Sequence, residues 1–107
     1  MLDIQMEPRK GILFIRLYGP LNRNNINLIN QKVLKFVKKL GIRNIVFNLE
    51  GVYEMDKYGL NVLVKSNHIC LSNKGQMFIC VNENKLFNHL NFNVIKSELE
   101  AINLINS

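Results

Sequence analysis

Three carboxylates lie close together in the middle of the chain, and paired carboxylates commonly transfer protons or hold metal ions in proteins. They are Glu50, Glu54 and Asp56. Asp56 precedes apolar residues at helical spacing, so its carboxylate already has a structural task, which is to cap that helix by accepting backbone N–H bonds. The two glutamates fall in a stretch that reads as a solvated loop. We therefore do not predict acid–base catalysis at this cluster.

The thiols and imidazoles are the next residues with useful chemistry. Cys70 and Cys80 each sit among apolar residues, and the sequence contains only two histidines, His68 and His89. A protein metal site needs more ligands at closer spacing than these residues offer. We predict two reduced cysteines that contribute to core packing, with no metal site and no cofactor.

Motifs for nucleophilic catalysis and for nucleotide binding are missing from the sequence. None of the four serines lies in a Gly-x-Ser-x-Gly elbow. The glycine patterns of phosphate-binding loops and dinucleotide-binding folds are missing as well. The sequence therefore predicts a protein that is not an enzyme.

A strand, a loop and a helix in the middle of the chain predict a site of another kind. Ile45-Val46-Phe47 is typical of a buried strand, residues 50–55 are typical of a loop, and Asp56 is placed to begin a helix. Gly59 has no Cβ, so another backbone segment can approach the first helical turn. Together with the loop at residues 22–25, this turn predicts a surface that binds a protein or a small ligand.

Composition limits the class of protein. The chain has 107 residues, of which 48% are hydrophobic and 21% charged, as is usual for a globular domain. No apolar run approaches the roughly 18 residues that a membrane span requires. The first residues do not combine a basic region with an apolar stretch, so no signal peptide is expected. We expect one domain, residues 1–107, in the cytoplasm and without a membrane partner.

The positive charge raises the question of nucleic acid as a partner. The formal net charge is +6, but the basic residues are spread along the chain and no run of five occurs. No nucleic-acid-binding motif accompanies them. We therefore predict no nucleic-acid partner.

The first predicted helix begins at Ile26, after a polar loop in which an asparagine is expected to serve as its cap. Its apolar stripe consists of Ile29, Val33, Phe36, Val37 and Leu40. Lysines 32, 35 and 39 lie off that stripe, as is typical of a solvated helix face. Gly41 stands where a glycine often ends a helix.

Strand and helix patterns alternate along the whole chain. Residues 2–7 and 12–18 predict a hairpin with a turn at residues 8–11, and Gly19-Pro20 is expected to end its second strand. The later elements are a strand at 76–81, a short helix containing Leu86, Phe87 and Leu90, a strand at 92–95, and a helix starting with a Ser97–Glu100 capping box. This order predicts an α/β fold, with a mixed, mainly parallel sheet of about five strands, an N-terminal hairpin and about four helices.

The sequence resembles a known family at three places. Gly19-Pro20-Leu21-Asn22, the segment at residues 42–50 and the segment at residues 55–60 are similar to the STAS domain of bacterial anti-sigma factor antagonists. The resemblance covers nearly the whole chain and is strongest over residues 42–64. It implies a STAS-like fold and a non-enzymatic protein that binds an anti-sigma factor of the serine-kinase type, and so regulates sigma-factor-dependent transcription.

The family's switch depends on a serine or threonine directly after the aspartate of an Asp-Ser-x-Gly turn. The kinase phosphorylates that hydroxyl, and the added negative charge breaks the complex. Here Asp56 and Gly59 match the turn, but Lys57 stands at the acceptor position. Asn22 stands where many relatives have an aspartate. The resemblance therefore implies partner binding without phosphorylation at this turn.

The predicted partner-binding residues combine the turn with the loop that precedes the first helix. They are Asn22, Arg23, Asn24, Met55, Asp56, Lys57, Tyr58, Gly59 and Asn61. Two other functions stay open at this point. One is a small-ligand or nucleotide-binding STAS module with an anion at the first turn after Asp56, and the other is a scaffold subunit that assembles with other STAS proteins.

Overall fold

A five-stranded sheet organises the chain, and helices pack on both of its faces. The computed structural model describes residues 1–81 and 92–106. The strand order is β1-β2-β3-β4-β5, with β1 antiparallel to β2 and each later pair parallel. This is the α/β fold with an N-terminal hairpin that the sequence predicts.

The strands and helices follow the alternation seen in the sequence. The strands are β1 (Asp3–Arg9), β2 (Ile12–Leu21), β3 (Asn44–Met55), β4 (Gln76–Cys80) and β5 (Asn93–Ile95). The helices are α1 (Ile26–Ile29), α2 (Lys35–Leu40), α3 (Lys57–Ser72) and α4 (Glu98–Ile105), with a π-helical turn at Asn30–Leu34 between α1 and α2. The predicted short helix with Leu86, Phe87 and Leu90 lies outside the described residues.

The hairpin turn is shorter than the predicted turn at residues 8–11. Only Lys10 and Gly11 form it, with φ of 56° and 78°. Positive φ angles at both central residues are typical of a tight two-residue hairpin turn. Pro8 instead belongs to β1 and lies opposite Leu13. A proline is tolerated there because β1 is an edge strand.

β2 and β3 both run further than predicted. Gly19-Pro20 does not end β2, and residues 50–55 are not a loop, because the two strands stay paired until Leu21 lies opposite Met55. Two register shifts accommodate the irregular backbone on the way. Gly51 marks a close approach between the strands: a Cβ there would lie 2.6 Å from Cδ1 of Tyr18.

The first helical region departs from a regular α-helix. The π-helical turn takes more residues per turn than an α-helix, so it rotates the residues that follow it. Val33 and Val37 are buried as the stripe predicts and Leu34 is buried beside them, whereas Phe36 is 40% exposed and Leu40 is 58% exposed. The prediction that Phe36 and Leu40 belong to the buried stripe is therefore wrong.

Two hydrophobic cores lie on opposite faces of the sheet. The larger core lies under α1, α2 and α3 and includes Ile15, Phe47, Leu63 and Cys70. The smaller core lies under α4 and includes Cys80. Both cysteines are free and buried, as predicted. Burial raises the pKa of Cys70 to about 12 and that of Cys80 to about 11, so both thiols stay protonated at neutral pH.

Only one of the two hydrogen bonds of the predicted capping box forms at the N-terminus of α4. The Ser97 hydroxyl oxygen accepts a hydrogen bond from the backbone N–H of Glu100 at 3.4 Å. The carboxylate of Glu100 accepts from the backbone N–H of Lys96 at 3.1 Å, not from that of Ser97. The cap is therefore confirmed, while its reciprocal bond lies one residue earlier.

A network of charged side chains ties α4 to the sheet. Arg16 on β2 donates two hydrogen bonds to the Glu98 carboxylate, at 2.9 and 2.8 Å, and also pairs with Glu7 at 2.8 Å. Asn48 on β3 donates to the same carboxylate at 2.8 Å. The hydrogen bonds from Arg16 are the main reason that the pKa of Glu98 is lowered. One glutamate thus joins α4 to two strands.

Candidate functional site

The candidate site lies where β2 and β3 end side by side. Leu21 lies opposite Met55, so the loop at residues 22–25 leaves the sheet next to the turn that begins α3. The backbone N–H of Asp56 donates to the carbonyl oxygen of Leu21 at 3.4 Å. The structure therefore brings together the two segments that the sequence analysis combined.

The carboxylate of Asp56 connects these two segments. Its Oδ1 accepts from the backbone N–H of Gly59 at 2.9 Å, which confirms Asp56 as the cap of α3. Its Oδ2 accepts from the backbone N–H of Arg23, also at 2.9 Å. These bonds, that from Gly59 foremost, lower the pKa of Asp56, so the carboxylate stays charged. The sequence analysis combined this loop with the turn, but it did not predict the bond itself, because no local pattern indicates which backbone N–H group of the loop faces the Asp56 carboxylate.

Gly59 allows the loop and the helix to lie this close. A Cβ at this position would be 2.2 Å from the carbonyl oxygen of Leu21, so no side chain fits without a backbone shift. This geometry confirms the predicted close approach at the first turn of α3. The same contact identifies Leu21 as part of the site, a role that sequence reasoning missed.

An aromatic ring in contact with two cations forms the outer surface of the turn. The Arg23 guanidinium lies 5.7 Å from the centroid of the Tyr58 ring, and Nζ of Lys57 lies 5.4 Å from it. Both distances are within the range of cation–π contacts. All three side chains are exposed. Since the Asp56 carboxylate is engaged with backbone N–H groups, the cluster of Arg23, Lys57 and Tyr58 presents two cations and a ring outward.

Asparagines order the loop that faces this turn. Oδ1 of Asn22 accepts from the backbone N–H of Asn24 at 3.0 Å, and the Asn22 amide donates to Glu54 at 3.5 Å. Asn25 occupies the N-cap position of α1, but its side chain makes no capping bond and instead donates to the carbonyl oxygen of Pro20 at 2.8 Å. The expected asparagine side-chain cap is therefore not formed. Glu54 joins the site, although the sequence showed it only as a loop carboxylate.

The three central carboxylates are engaged at separate places. Glu50 lies against Cys80, with Oε1 3.8 Å from Sγ. Glu54 contacts Asn22, and Asp56 caps α3. Within residues 1–81 and 92–106, no group of three or more His, Cys, Asp or Glu is arranged to hold a metal ion. His89 lies outside that part of the chain.

The remaining predicted site residues differ in their exposure. Asn24 and Asn61 are exposed, so they are available to a partner. Met55 is half-buried and packs against the larger core directly before the turn. The structure thus gathers Arg23, Lys57 and Tyr58 into one exposed cluster and places Met55 in a supporting position.

Comparison with protein-family models agrees with the family resemblance of the sequence as a whole. The model of the STAS domain family matches residues 3–99. The chain belongs to the STAS domain family. This STAS domain is 27% identical over 79 residues to the anti-sigma F factor antagonist of Paenibacillus polymyxa, an alignment that covers 74% of this chain and 68% of the relative.

Solved structures share the fold of this STAS domain. The anti-sigma factor antagonist SpoIIAA in its unphosphorylated form matches with a TM-score of 0.81 at 21% identity, over 98% of this chain and 99% of that one. Bacillus SpoIIAA in its phosphorylated form matches with 0.79 at 21% identity, over 96% and 99%. An anti-sigma factor antagonist from Mycobacterium paratuberculosis matches with 0.85 at 14% identity, over 100% and 96%.

The length and apolar character of the described helices were compared with those of membrane-spanning helices. Among residues 1–81 and 92–106, no helix is both long and apolar enough to cross a membrane.

Proposed function

We propose that this STAS domain is an anti-sigma factor antagonist, which binds an anti-sigma factor of the serine-kinase type and so regulates sigma-factor-dependent transcription. The observation that carries the proposal is the turn at Asp56, which joins the loop at residues 22–25 to α3 and presents Arg23, Lys57 and Tyr58 outward. The sequence similarity to the anti-sigma F factor antagonist of Paenibacillus polymyxa supports the proposal.

The proposed protein is a cytoplasmic binding domain and not an enzyme. Residues 1–107 act in this proposal as one STAS domain, whose partners are an anti-sigma factor and, within a larger signalling assembly, other STAS proteins. The separate engagement of Glu50, Glu54 and Asp56 supports a binding role, because it leaves no carboxylate pair for proton transfer at the turn.

Binding in this proposal is not switched by phosphorylation at the turn. Lys57 directly follows the capping Asp56, at the position where the family resemblance expects a hydroxyl. Its exposed ammonium group lies over the Tyr58 ring and carries no group that a serine kinase can modify. Since Arg23 and Lys57 make their cluster with Tyr58 cationic, the proposed partner presents an acidic or neutral surface to that cluster.

Charge reversal at the turn tests the proposed interface. With the candidate serine-kinase anti-sigma factor from the same genome, Lys57→Glu is expected to raise the dissociation constant about tenfold or more, because it replaces an attractive charge with a repulsive one. Lys65→Glu, on an exposed position further along α3, is the matched control and should change it by less than about twofold. Equal affinities for wild type and Lys57→Glu, measured by calorimetry, would place the interface elsewhere.

A kinase assay tests the loss of the switch separately. Incubation with the same anti-sigma factor and ATP should leave the intact mass of the wild-type protein unchanged. The Lys57→Ser variant restores a hydroxyl at the acceptor position and is expected to gain one phosphate, which shows that the kinase is active. A phosphate on residues 57–59 of the wild-type protein would contradict the proposal.

A second candidate function is nucleotide or small-anion binding at the same turn. It is favoured by the two cations that flank an exposed aromatic ring, since a ring can stack on a base while cations pair with phosphates. Thermal-shift titration with ATP, GTP and inorganic phosphate tests it. Saturable stabilisation that Lys57→Glu abolishes would support this function, and no shift at millimolar nucleotide would eliminate it.

A further inference from the structure

An open groove of about 640 Å³ lies at the end of the parallel sheet opposite the Asp56 turn. Ile12 and Leu13, at the start of β2, form its buried floor, and Phe36 and Leu40 on α2 line it from the side. Its volume falls in the range of about 300–1,000 Å³ that is usual for small-molecule sites. We call it the α2 groove.

The apolar side of the α2 groove results from the irregular helix that precedes it. Phe36 is 40% exposed and Leu40 is 58% exposed, although their spacing from Val33 and Val37 would place them on the buried stripe of a regular α-helix. The π-helical turn rotates them out of the larger core and towards the groove. The fold thus leaves a phenylalanine and a leucine side by side on one concave surface.

Two arginines give the α2 groove its charge. Arg9, at the end of β1, and Arg43, just before β3, both line it, and the residues that line it include no aspartate or glutamate. Nη2 of Arg43 donates to the carbonyl oxygen of Lys74 at 3.1 Å, which holds that guanidinium at the rim. The described ion pairs engage Glu7 and Glu98, and both of those carboxylates pair with Arg16. Arg9 lies near enough to Glu98 to contribute to the lowered pKa of that carboxyl, but neither Arg9 nor Arg43 forms an ion pair within the described residues.

We propose that the α2 groove binds an anionic amphiphile, a molecule with one carboxylate or phosphate head and a single apolar chain. The head pairs with Arg9 and Arg43, and the chain lies along Phe36 and Leu40 above the floor formed by Ile12 and Leu13. Charge complementarity selects the head, and burial of the exposed apolar side drives the binding of the chain. This site is separate from the Asp56 turn and does not depend on the proposed function of that turn.

Solution NMR with the full chain and sodium laurate, kept below its micelle concentration, tests this assignment. The backbone amides of residues 41–44 are expected to shift in a saturable way, because these residues line the groove. The amides of Arg23 and Gly59, which bond Asp56, should not move. Acetate, which has only the head, should cause no saturable shift, and the uncharged dodecyl maltoside should bind at least about fivefold more weakly than laurate.

Matched variants separate the two parts of the recognition. Leu40→Gln is expected to weaken laurate binding about tenfold, while Leu71→Gln, on a residue of α3 that is 57% exposed, should leave it unchanged. Arg9→Gln should weaken it roughly fivefold, and Lys65→Gln, another exposed cation, should not. All four positions are exposed, so each variant is expected to fold.

Three results would overturn the proposal. The first is a laurate titration that shows no saturation at residues 41–44 up to about 1 mM, which corresponds to a free energy too small for a built site. The second is equal binding of laurate and dodecyl maltoside, which would remove the anionic head from the recognition. The third is a perturbation of residues 41–44 by anionic phospholipid vesicles and not by monomeric laurate, which would assign the surface to a membrane instead.

Discussion

Asp56 holds the N-terminus of α3 to the loop at residues 22–25, and Glu98 holds the N-terminus of α4 to the sheet, but the two carboxylates bond to different kinds of partner. In the described part of the chain, the Asp56 carboxylate is held by backbone N–H groups, chiefly those of Gly59 and Arg23. The Glu98 carboxylate, among residues 1–81 and 92–106, accepts from the side chains of Arg16 and Asn48. The Asp56 anchor is therefore independent of which side chains surround it, whereas the Glu98 anchor requires a particular arginine and a particular asparagine.

This difference explains how the turn can carry Lys57 without loss of the fold. The backbone of Arg23 and Gly59 is held by Asp56, so the side chains at positions 23, 57 and 58 point outward and have no part in the anchor. The residue that follows Asp56 can consequently change its charge or lose its hydroxyl while the site keeps its shape. At α4, by contrast, a change of side chain changes the anchor itself.

The largest expected effect comes from Gly59→Ala, which disrupts the contact between the loop and α3 that Asp56 holds together. The added Cβ would lie 2.2 Å from the carbonyl oxygen of Leu21, so the loop and α3 must move apart. We expect a loss of about 3 kcal/mol in the free energy of unfolding, measured with urea. Gly41→Ala is the control, because its Cβ meets open space and only its positive φ is strained, at a cost of about 1 kcal/mol. An equal loss in the two variants would show that the contact with Leu21 is not tight.

The Glu98 anchor can be disrupted by changing a side chain that forms it. Glu98→Gln removes the charge that Arg16 pairs with and leaves the guanidinium, whose side chain is 23% exposed, with one carboxylate fewer. We expect a loss of about 2 kcal/mol in the free energy of unfolding. Glu100→Gln is the matched control on the same helix, since the one described hydrogen bond to that exposed carboxylate comes from the backbone of Lys96, and a loss of about 0.5 kcal/mol is expected there. Similar losses in both variants would mean that the Arg16 network does not anchor α4.

The pH dependence of stability gives a second view of the Glu98 anchor. Arg16 holds the pKa of Glu98 below its usual range in the folded protein, so on acidification the unfolded chain takes up the proton first. The contribution of Glu98 is therefore complete above the unfolded pKa of about 4.3 and is lost as the pH falls through the lower, folded pKa. The stability difference between wild type and Glu98→Gln should shrink from about pH 6 to about pH 3. A difference that stays constant over this range would contradict the assignment.

The parts of the fold that local patterns determine could be predicted from the sequence. Alternating and helical spacings indicate the strands, α3 and α4, and an aspartate or a serine before an apolar run indicates a cap. Gly59 indicates a close approach because glycine destabilises a helix, so its presence in a first turn suggests that a neighbouring backbone needs the space. The cap and the close approach, which are the frame of the candidate site, are therefore predictable from local sequence.

The parts that depend on tertiary pairing could not be predicted in this way. Residues 50–55 contain a glycine and carboxylates and resemble a loop, yet pairing with β2 makes them strand. Phe36 and Leu40 follow a regular helical period, yet a π-helical turn exposes them. The bond from Arg23 to Asp56 and the ion pair between Arg16 and Glu98 join residues far apart in sequence, so no local pattern contains them.

The smallest and most specific effect is expected from Asp56→Asn, which sharpens the comparison by leaving half of the anchor intact. The two carboxylate oxygens accept from two different backbone N–H groups, whereas an asparagine side chain offers one acceptor oxygen and one donor amide. Only one of the two bonds can then persist, and the amide must face an N–H group that also donates. Since the cap of α3 is formed within three residues and the bond to Arg23 must be closed across the loop, the cap should be kept. Amide hydrogen exchange should therefore accelerate at Arg23 and change little at Gly59, while Asp56→Ala should accelerate both. Equal acceleration at the two amides in Asp56→Asn would show that the loop and the helix are held as one unit, and that the anchor is not two separable bonds.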